Sequence, residues 1–203
     1  GVMRSYEQAL QRLALDTVAA LVIHDLDMAY NGDRQAVHER QLVDSGIKAL
    51  VELKKSGDIQ AYGMGINTNQ ALEEVSTRVE LDFCLVAMPY TLIDQDSLTR
   101  GMKALHDRNV SVIIGAPFAS GILVTGSGAG AKSAYGAASP EVQARVRGIE
   151  AVCRTHDVSM PVAALQFVLA HPAVVSVIPG AARPSEVEAN VAALSVKIPA
   201  AFW

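Results

Sequence analysis

The chain alternates short, almost wholly apolar runs with longer stretches in which apolar residues recur every three or four positions. The runs are Val18-Ala-Ala-Leu-Val-Ile-His24, Ala61-Tyr-Gly-Met-Gly-Ile66, Phe83-Cys-Leu-Val-Ala-Met88, Val110-Ser-Val-Ile-Ile-Gly115 and Val174-Val-Ser-Val-Ile178. The first run is apolar enough to suggest a strand buried on both faces, as in parallel sheets, and the five runs predict strands over 18–23, 61–66, 83–88, 110–115 and 174–178. Helical spacing predicts helices over 2–14 (Val2, Tyr6, Leu10, Leu13), 42–56 with Gly57 as its C-cap, 69–77, 96–107, 161–170 and 184–194. Ser139-Pro140-Glu141 opens another, with a cap, a first-turn proline and an acid for the dipole, and with Val142, Val146, Ile149 and Val152 as its stripe. Residues 26–40 read as a polar loop, and 119–137 as a Gly/Ala/Ser-rich loop.

Strands alternating with helices imply βαβ units and a parallel α/β sheet. A (β/α)8 barrel needs eight strands and about 250 residues. Five strands in 203 residues leave such a barrel three short. The doubly wound open sheet is the alternative, although no Gly-x-Gly-x-x-Gly follows the first strand.

Composition narrows the classes. Half the residues are apolar and 19% are charged, 17 basic against 21 acidic, for a net charge of -4. That excludes a disordered polar chain and counts against nucleic acid as a partner. Cys84 and Cys153 sit in apolar patterns, which reads as buried free thiols in a reducing, cytoplasmic setting. No apolar run reaches the ~18 residues of a membrane span. An amphipathic helix begins at once after Gly1, and the chain closes on Ala-Ala-Phe-Trp, so the expectation is a piece of a longer protein. Were it complete, strands 18–23 and 174–178 would leave an apolar seam that favours homo-oligomers.

In either parallel fold the chemistry belongs at the C-terminal strand ends. Those read His24-Asp25, Gly65-Ile66-Asn67, Met88-Pro89-Tyr90, Gly115-Ala116-Pro117-Phe118 and Ile178-Pro179-Gly180-Ala181. They supply an imidazole, a carboxamide, a phenol and two small-residue turns through which backbone N–H groups can approach an anion. The last leads into Arg183-Pro184-Ser185-Glu186, a helix start suited to phosphate. Each has a plainer alternative: a hydrogen-bonded core histidine, a helix cap at Asn67, a packing role for Tyr90, and a passive linker at 119–137. None of the five histidines has metal-ligand spacing with a carboxylate, so no metal site is expected.

The segments Leu15-Asp16-Thr-Val-Ala-Ala-Leu-Val-Ile-His24-Asp25 and Asp58-Ile-Gln-Ala-Tyr-Gly-Met-Gly-Ile-Asn67 resemble the fourth and fifth strands of the aldo/keto reductases. Their Gly-x-Gly-x-Asn form is similar to the aldose-dehydrogenase branch, which includes L-fucose, L-galactose, D-threo-aldose and pyridoxal dehydrogenases. Pro89-Tyr-Thr-Leu-Ile-Asp94 resembles the sixth-strand exit, and Gly115-Ala-Pro-Phe-Ala-Ser-Gly-Ile-Leu123 the cofactor-phosphate loop. Val177-Ile-Pro-Gly-Ala-Ala-Arg-Pro-Ser-Glu-Val-Glu-Ala-Asn190 resembles the eighth strand and adenosine-binding helix. Five matches in order across nearly the whole chain make the resemblance specific.

The resemblance implies a (β/α)8 barrel of which this chain supplies strands four to eight, and an oxidoreductase using NAD(P) on a sugar or aldehyde. It implies that His24 donates a hydrogen bond to the reacting carbonyl oxygen, while the family's proton-donating Tyr, its Lys and its Asp have no matching positions here. Asn67 matches the residue on the nicotinamide carboxamide, and Tyr90 a rim aromatic by the substrate. Gly115, Ala116, Pro117, Phe118, Ser120 and Gly121 match the phosphate loop, and Gly180, Ala181, Ala182, Glu186 and Asn190 the adenosine site. Many members stack an aromatic on nicotinamide where this chain has Gly115 or Ala116. Gly180 and Glu186 stand where NADP-preferring members often carry Lys and Arg, so NAD is expected over NADP. Within the loop at 116–137, Ala116-Pro-Phe-Ala-Ser-Gly121 is expected to place backbone N–H groups and the Ser120 hydroxyl on the pyrophosphate, and the part from Gly126 onward to be mobile without cofactor and to close over it when bound. Two other classes stay open: a catalytically dead binding or regulatory protein of the same fold, and a phosphate-handling barrel isomerase or lyase.

Overall fold

A computed structural model describes residues 1–133 and 136–203, with side chains except those of 29 and 75–77. The chain divides into two compact units: Gly1–Val86 with Thr99–Val112, and Ala87–Leu98 with Ile113–Trp203.

The first unit opens with helix α1 (Val2–Leu13), docked through Tyr6, whose hydroxyl donates to the Asp58 carbonyl at 3.3 Å. Strand β1 (Ala20–His24) follows. The segment expected as a polar loop is largely helical: α2 (Met28–Asn31), a 3-10 turn at Gly32–Arg34 and α3 (Gln35–Gln41). Few of its residues are apolar, so periodicity could not reveal it. What holds its start is Asn31, whose amide donates to the carbonyls of Asp25 at 2.6 Å and Asp27 at 3.0 Å. A π-turn, Leu42–Gly46, leads into α4 (Ile47–Ser56), which ends on Gly57 at φ +84° as expected.

Strand β2 (Ala61–Ile66) matches its predicted span and is buried along most of its length. It pairs in parallel with β1, His24 opposite Gly65, and with β3 (Phe83–Ala87), Gly63 opposite Phe83. A Cβ on Gly63 would lie 2.5 Å from the Phe83 carbonyl oxygen, so this close approach requires glycine. Helix α5 (Asn69–Arg78) is capped by Thr68, whose hydroxyl accepts from the Ala71 amide. Helix α6 (Gly101–Asp107) begins five residues later than 96; a Cβ on Gly101 would lie 2.6 Å from Leu72.

Strand β4 (Ser111–Gly115) runs into the second unit. The stretch read as one loop, 119–137, is more ordered than its glycines imply. A 3-10 turn (Ala119–Gly121) joins α7 (Ile122–Thr125), and β5 (Lys132–Ser133) pairs antiparallel with β6 (Gly136–Ala137); positions 134 and 135 lie outside the described residues. Ile122 and Leu123 are both fully buried and anchor that turn in a core with Val146, Ala164 and Leu165. Helix α8 (Pro140–His156) is capped by the Ser139 hydroxyl, as its Ser-Pro-Glu start indicates. Val142 and Ile149 of its stripe pack on the core, whereas Val152 is exposed. Helix α9 (Met160–Leu169), strand β7 (Val174–Ile178) and helix α10 (Pro184–Ala193) complete the unit.

The five longer strands form one parallel sheet in the order β1-β2-β3-β4-β7. Val22 on β1, and Val175 and Ile178 on β7, are exposed; β1 and β7 are the two ends of this sheet, the strands between which an apolar seam is expected. An apolar run reports a preference for burial, and each end strand has a neighbour on one side only. Three strands leave the sheet through a non-glycine residue in the left-handed region: Asp25 after β1 (φ +44°), Met88 after β3 (φ +77°) and Ala116 after β4 (φ +49°).

Two glycines test this packing in opposite directions. Gly63→Ala should lower stability by roughly 1–3 kcal/mol, because the new methyl must displace the neighbouring strand backbone. Gly148→Ala, mid-helix in open space, should raise it by roughly 0.5–1 kcal/mol. Urea unfolding checks both, and equal effects would contradict the close β2–β3 approach.

Candidate functional site

Several residues picked out at the strand ends come together in each unit. In the first unit, His24 ends β1 with its side chain 82% exposed and its Nδ1 2.8 Å from an Asp25 carboxylate oxygen. It is therefore not a buried core histidine. Asn67 lies just past β2 and donates its amide to the other Asp25 oxygen, 2.5 Å away. It does not cap the following helix; Thr68 does, and the Thr68 hydroxyl also donates to the buried carboxylate of Asp27. The imidazole, the carboxylate and the carboxamide thus form one chain across the ends of two adjacent strands.

In the second unit, a cavity of about 500 Å³ is lined by Ala116, Pro117, Phe118, Ser120, Gly121, Val124, Thr125, Pro161, Gly180, Glu186, Ala189 and Asn190. Two segments some sixty residues apart in sequence meet here. The first is the strand exit after β4, whose backbone turns through positive φ at Ala116, Ala119, Ser120 and Gly121. Successive turns of this kind can aim backbone N–H groups toward one concavity; here the Ala119 and Gly121 amides donate within the turn, to the Ala116 and Phe118 carbonyls at 2.9 and 3.0 Å. The second is the first two turns of α10. Of these lining residues Glu186 bears the charge. Its carboxylate accepts from the Ala182 amide at 2.7 Å and from the Arg183 guanidinium at 3.0 and 2.7 Å. The Ala182 amide and then Arg183 hold it below the usual carboxylate range, so it is ionised at neutral pH.

The remaining expected residues lie apart from this cavity. Gly115 is buried in the last turn of β4. Ala181 lines a smaller neighbouring cavity of about 310 Å³ with Val177, Pro179 and Asn190. The Ala182 amide is engaged by Glu186. Tyr90 is not at a rim: it is 2% exposed, its ring packs 5.3 Å from Phe167 and 5.8 Å from His171, and its hydroxyl points to the Phe167 carbonyl at 3.4 Å. Burial pushes its phenol up to about 12, so it stays neutral. Cys84 and Cys153 are free and buried, and burial pushes the Cys84 thiol up to about 12, which leaves it inert as a nucleophile.

A polar cavity of about 410 Å³ lies at the opposite, N-terminal strand ends of the first unit, among Lys54, Tyr62, Asp82 and Arg108. There Lys54 bonds Asp82, and the Tyr62 amide donates to the same carboxylate at 3.0 Å. Burial raises the Asp82 carboxyl, but those two donors outweigh it and leave it below the usual range. Charges paired at this end of a parallel sheet serve stability rather than chemistry.

Sequence reasoning gave no role to Asp25, Asn31 or Arg183. The signal for Asp25 was present, since a carboxylate immediately follows the strand-end histidine. Arg183 stands three residues before Glu186 and within reach of it. Among the described residues no group of three or more His, Cys, Asp or Glu could hold a metal ion, and no helix is long and apolar enough to cross a membrane.

Residues 1–203 match the model of the aldo/keto reductase family, and the chain belongs to that family. Its members use nicotinamide cofactors on small-molecule substrates. The chain is 33% identical over 204 residues to a pyridoxal 4-dehydrogenase of Microbacterium luteolum, and 30% identical over 205 residues to a D-threo-aldose 1-dehydrogenase of a Pseudomonas species. Both alignments cover 100% of this chain and 60% of the relative, so the chain spans about 60% of the length of these curated relatives. Among solved structures, the holo form of an aldo-keto reductase from Bacillus halodurans superposes with a TM-score of 0.72 at 22% identity, covering 98% of this chain and 63% of that one. The five-stranded sheet is thus part of a (β/α)8 barrel.

Replacing Tyr90 separates packing from substrate contact. Tyr90→Phe should cost no more than about 1 kcal/mol, since its one hydrogen bond is long. In a full-length parent it should leave the substrate KM unchanged in steady-state kinetics; a raised KM would restore the rim position.

Proposed function

We propose that the chain carries the cofactor-binding part of an NAD-dependent oxidoreductase that acts on an aldose or a related hydroxy or aldehyde compound. One observation carries the reading: Ala116, Pro117, Phe118, Ser120 and Gly121 from one cofactor-like segment and Gly180, Glu186 and Asn190 from the other line a single cavity. That cavity has room for one nucleotide half. The positive-φ turn at 116–121 would hold the pyrophosphate through backbone N–H groups and the Ser120 hydroxyl, and Asn190 would meet the adenine. Asn67 would meet the carboxamide. When bound, the nicotinamide supplies the hydride acceptor or donor. His24 would orient the substrate oxygen from an exposed strand end.

Glu186 supports NAD over NADP. An ionised carboxylate repels a 2′-phosphate and accepts hydrogen bonds from ribose hydroxyls. It also neutralises Arg183, the nearest cation in that turn. Gly180 contributes no side chain to offset this.

The preference is measurable in a full-length parent. Glu186→Arg with Gly180→Lys should shift the ratio of Kd for NADP to Kd for NAD toward NADP by tenfold or more, about 1.4 kcal/mol. A parent that already binds NADP more tightly contradicts the reading. The 203-residue protein alone should show no dehydrogenase activity, because the family's Tyr and Lys have no matching positions in it, and losing a positioned acid–base group costs ~10²–10⁴-fold. NAD-dependent aldose turnover above that of a His24→Ala control would count against this.

A further inference from the structure

Helix α8 reaches the glycine-rich stretch through Glu150. Gly126 follows α7 at φ +84°, and its amide donates back to the Ile122 carbonyl at 2.8 Å. The next residue, Ser127, is held by the Glu150 carboxylate. Its amide donates to one carboxylate oxygen at 2.8 Å, and its hydroxyl donates to the other at 3.0 Å. A Cβ on Gly126 would lie 2.6 Å from the first of those oxygens. The approach therefore needs glycine on two counts, space and a left-handed backbone. One side chain thus holds a single residue by both its main chain and its hydroxyl. Hydrogen bonds to an ionised acceptor are roughly twice as strong as neutral ones.

The clamp adjoins the cavity of the second unit. Val124 and Thr125, the two residues before Gly126, line that cavity and are exposed. They end the four-residue helix α7, which is too short to be stable by itself. Ile122 and Leu123 fix its start by burial, and Glu150 fixes the chain just past its end. Beyond Ser127, residues 128–130 are exposed, and a Cβ on Gly128 or Gly130 would meet nothing within 4 Å. We propose that Glu150 is a positioning residue for the nucleotide. By holding Ser127 it sets Val124 and Thr125 in the cavity wall before the nucleotide arrives. A wall that had to be ordered at the moment of binding would weaken that binding. The nucleotide part rests on the cofactor reading above; the clamp does not.

Amide exchange followed by NMR on the ligand-free 203-residue protein reads the clamp. The Ser127 amide should exchange more slowly than those of Gly128, Ala129 and Gly130. Glu150→Ala should speed exchange at 124–127 and leave the buried Val146 amide as it was. Glu150→Gln, whose amide oxygen still accepts from the Ser127 amide, should keep most of the protection. A Ser127 amide that exchanges as fast as its three successors in the unaltered protein overturns the proposal, even where no variant folds. In a full-length parent Glu150→Ala should raise Kd for both NAD and ADP-ribose roughly tenfold, with Glu150→Gln restoring much of the loss. The effect should appear in KM for NAD and not in kcat at saturating NAD, which separates positioning from a general loosening of the fold. Adding Ser127→Ala to Glu150→Ala should weaken binding no further, because the two residues act as one unit. An unchanged Kd beside faster exchange at 124–127 overturns the positioning role alone. An unaltered parent that binds neither NAD nor ADP-ribose overturns the cofactor reading, and the nucleotide part with it.

Discussion

A parallel strand must turn sharply at its C-terminal end, and in this chain three strands do so through a left-handed residue that is not glycine. The site depends on that constraint. At Asp25 the turn folds a carboxylate back onto His24. At Ala116 it begins the run of positive φ that shapes one wall of the cavity in the second unit. At Met88 it leads into Pro89, whose carbonyl accepts the buried Ser97 hydroxyl at 2.7 Å. Strain of this kind, of order 1–3 kcal/mol per residue, is offset by local hydrogen bonds and packing, as the Asn31 and Asn67 amides show at Asp25.

Carboxylates organise both clusters by the same physics. An ionised acid is stable in a partly buried turn only where donors surround it. Asp25 finds an imidazole and a carboxamide, and Glu186 finds an amide and a guanidinium. The first lies beside the His24 ring, and the second accepts the Ala182 amide at the turn into α10 and gives its cavity a negative charge.

Much of the fold was legible because burial and chain geometry wrote it locally. The fully apolar β2 and the Ser-Pro-Glu start of α8 were read where they stand. The helices at 28–41 were not, since they lack an apolar stripe and are held by Asn31 and by an Arg78–Glu39 ion pair from a later helix. Val-rich β7 was read as a strand at the edge of the five, and it stands at one end of the sheet. At the site, the residues lining the cavity were found through resemblance. The Asp25–His24 and Glu186–Arg183 pairs needed coordinates, because a sequence shows which charges are near in the chain but not which way a left-handed turn aims them. Tyr90 illustrates the converse: its motif pointed to a rim, and packing against Phe167 and His171 decided otherwise.

We propose that residues 116–121 and the start of α10 form one nicotinamide-nucleotide site, over which the glycine-rich stretch from Gly126 closes. Without ligand, Ser127 is tied to α8, its amide and hydroxyl bonded to Glu150 at 2.8 and 3.0 Å. Amide hydrogen exchange on a full-length parent, with and without NAD under conditions where NAD is shown to bind, tests this most directly. The account predicts that NAD slows exchange at 118–132 and at 185–190 together. Identical exchange in both states at both segments would contradict it.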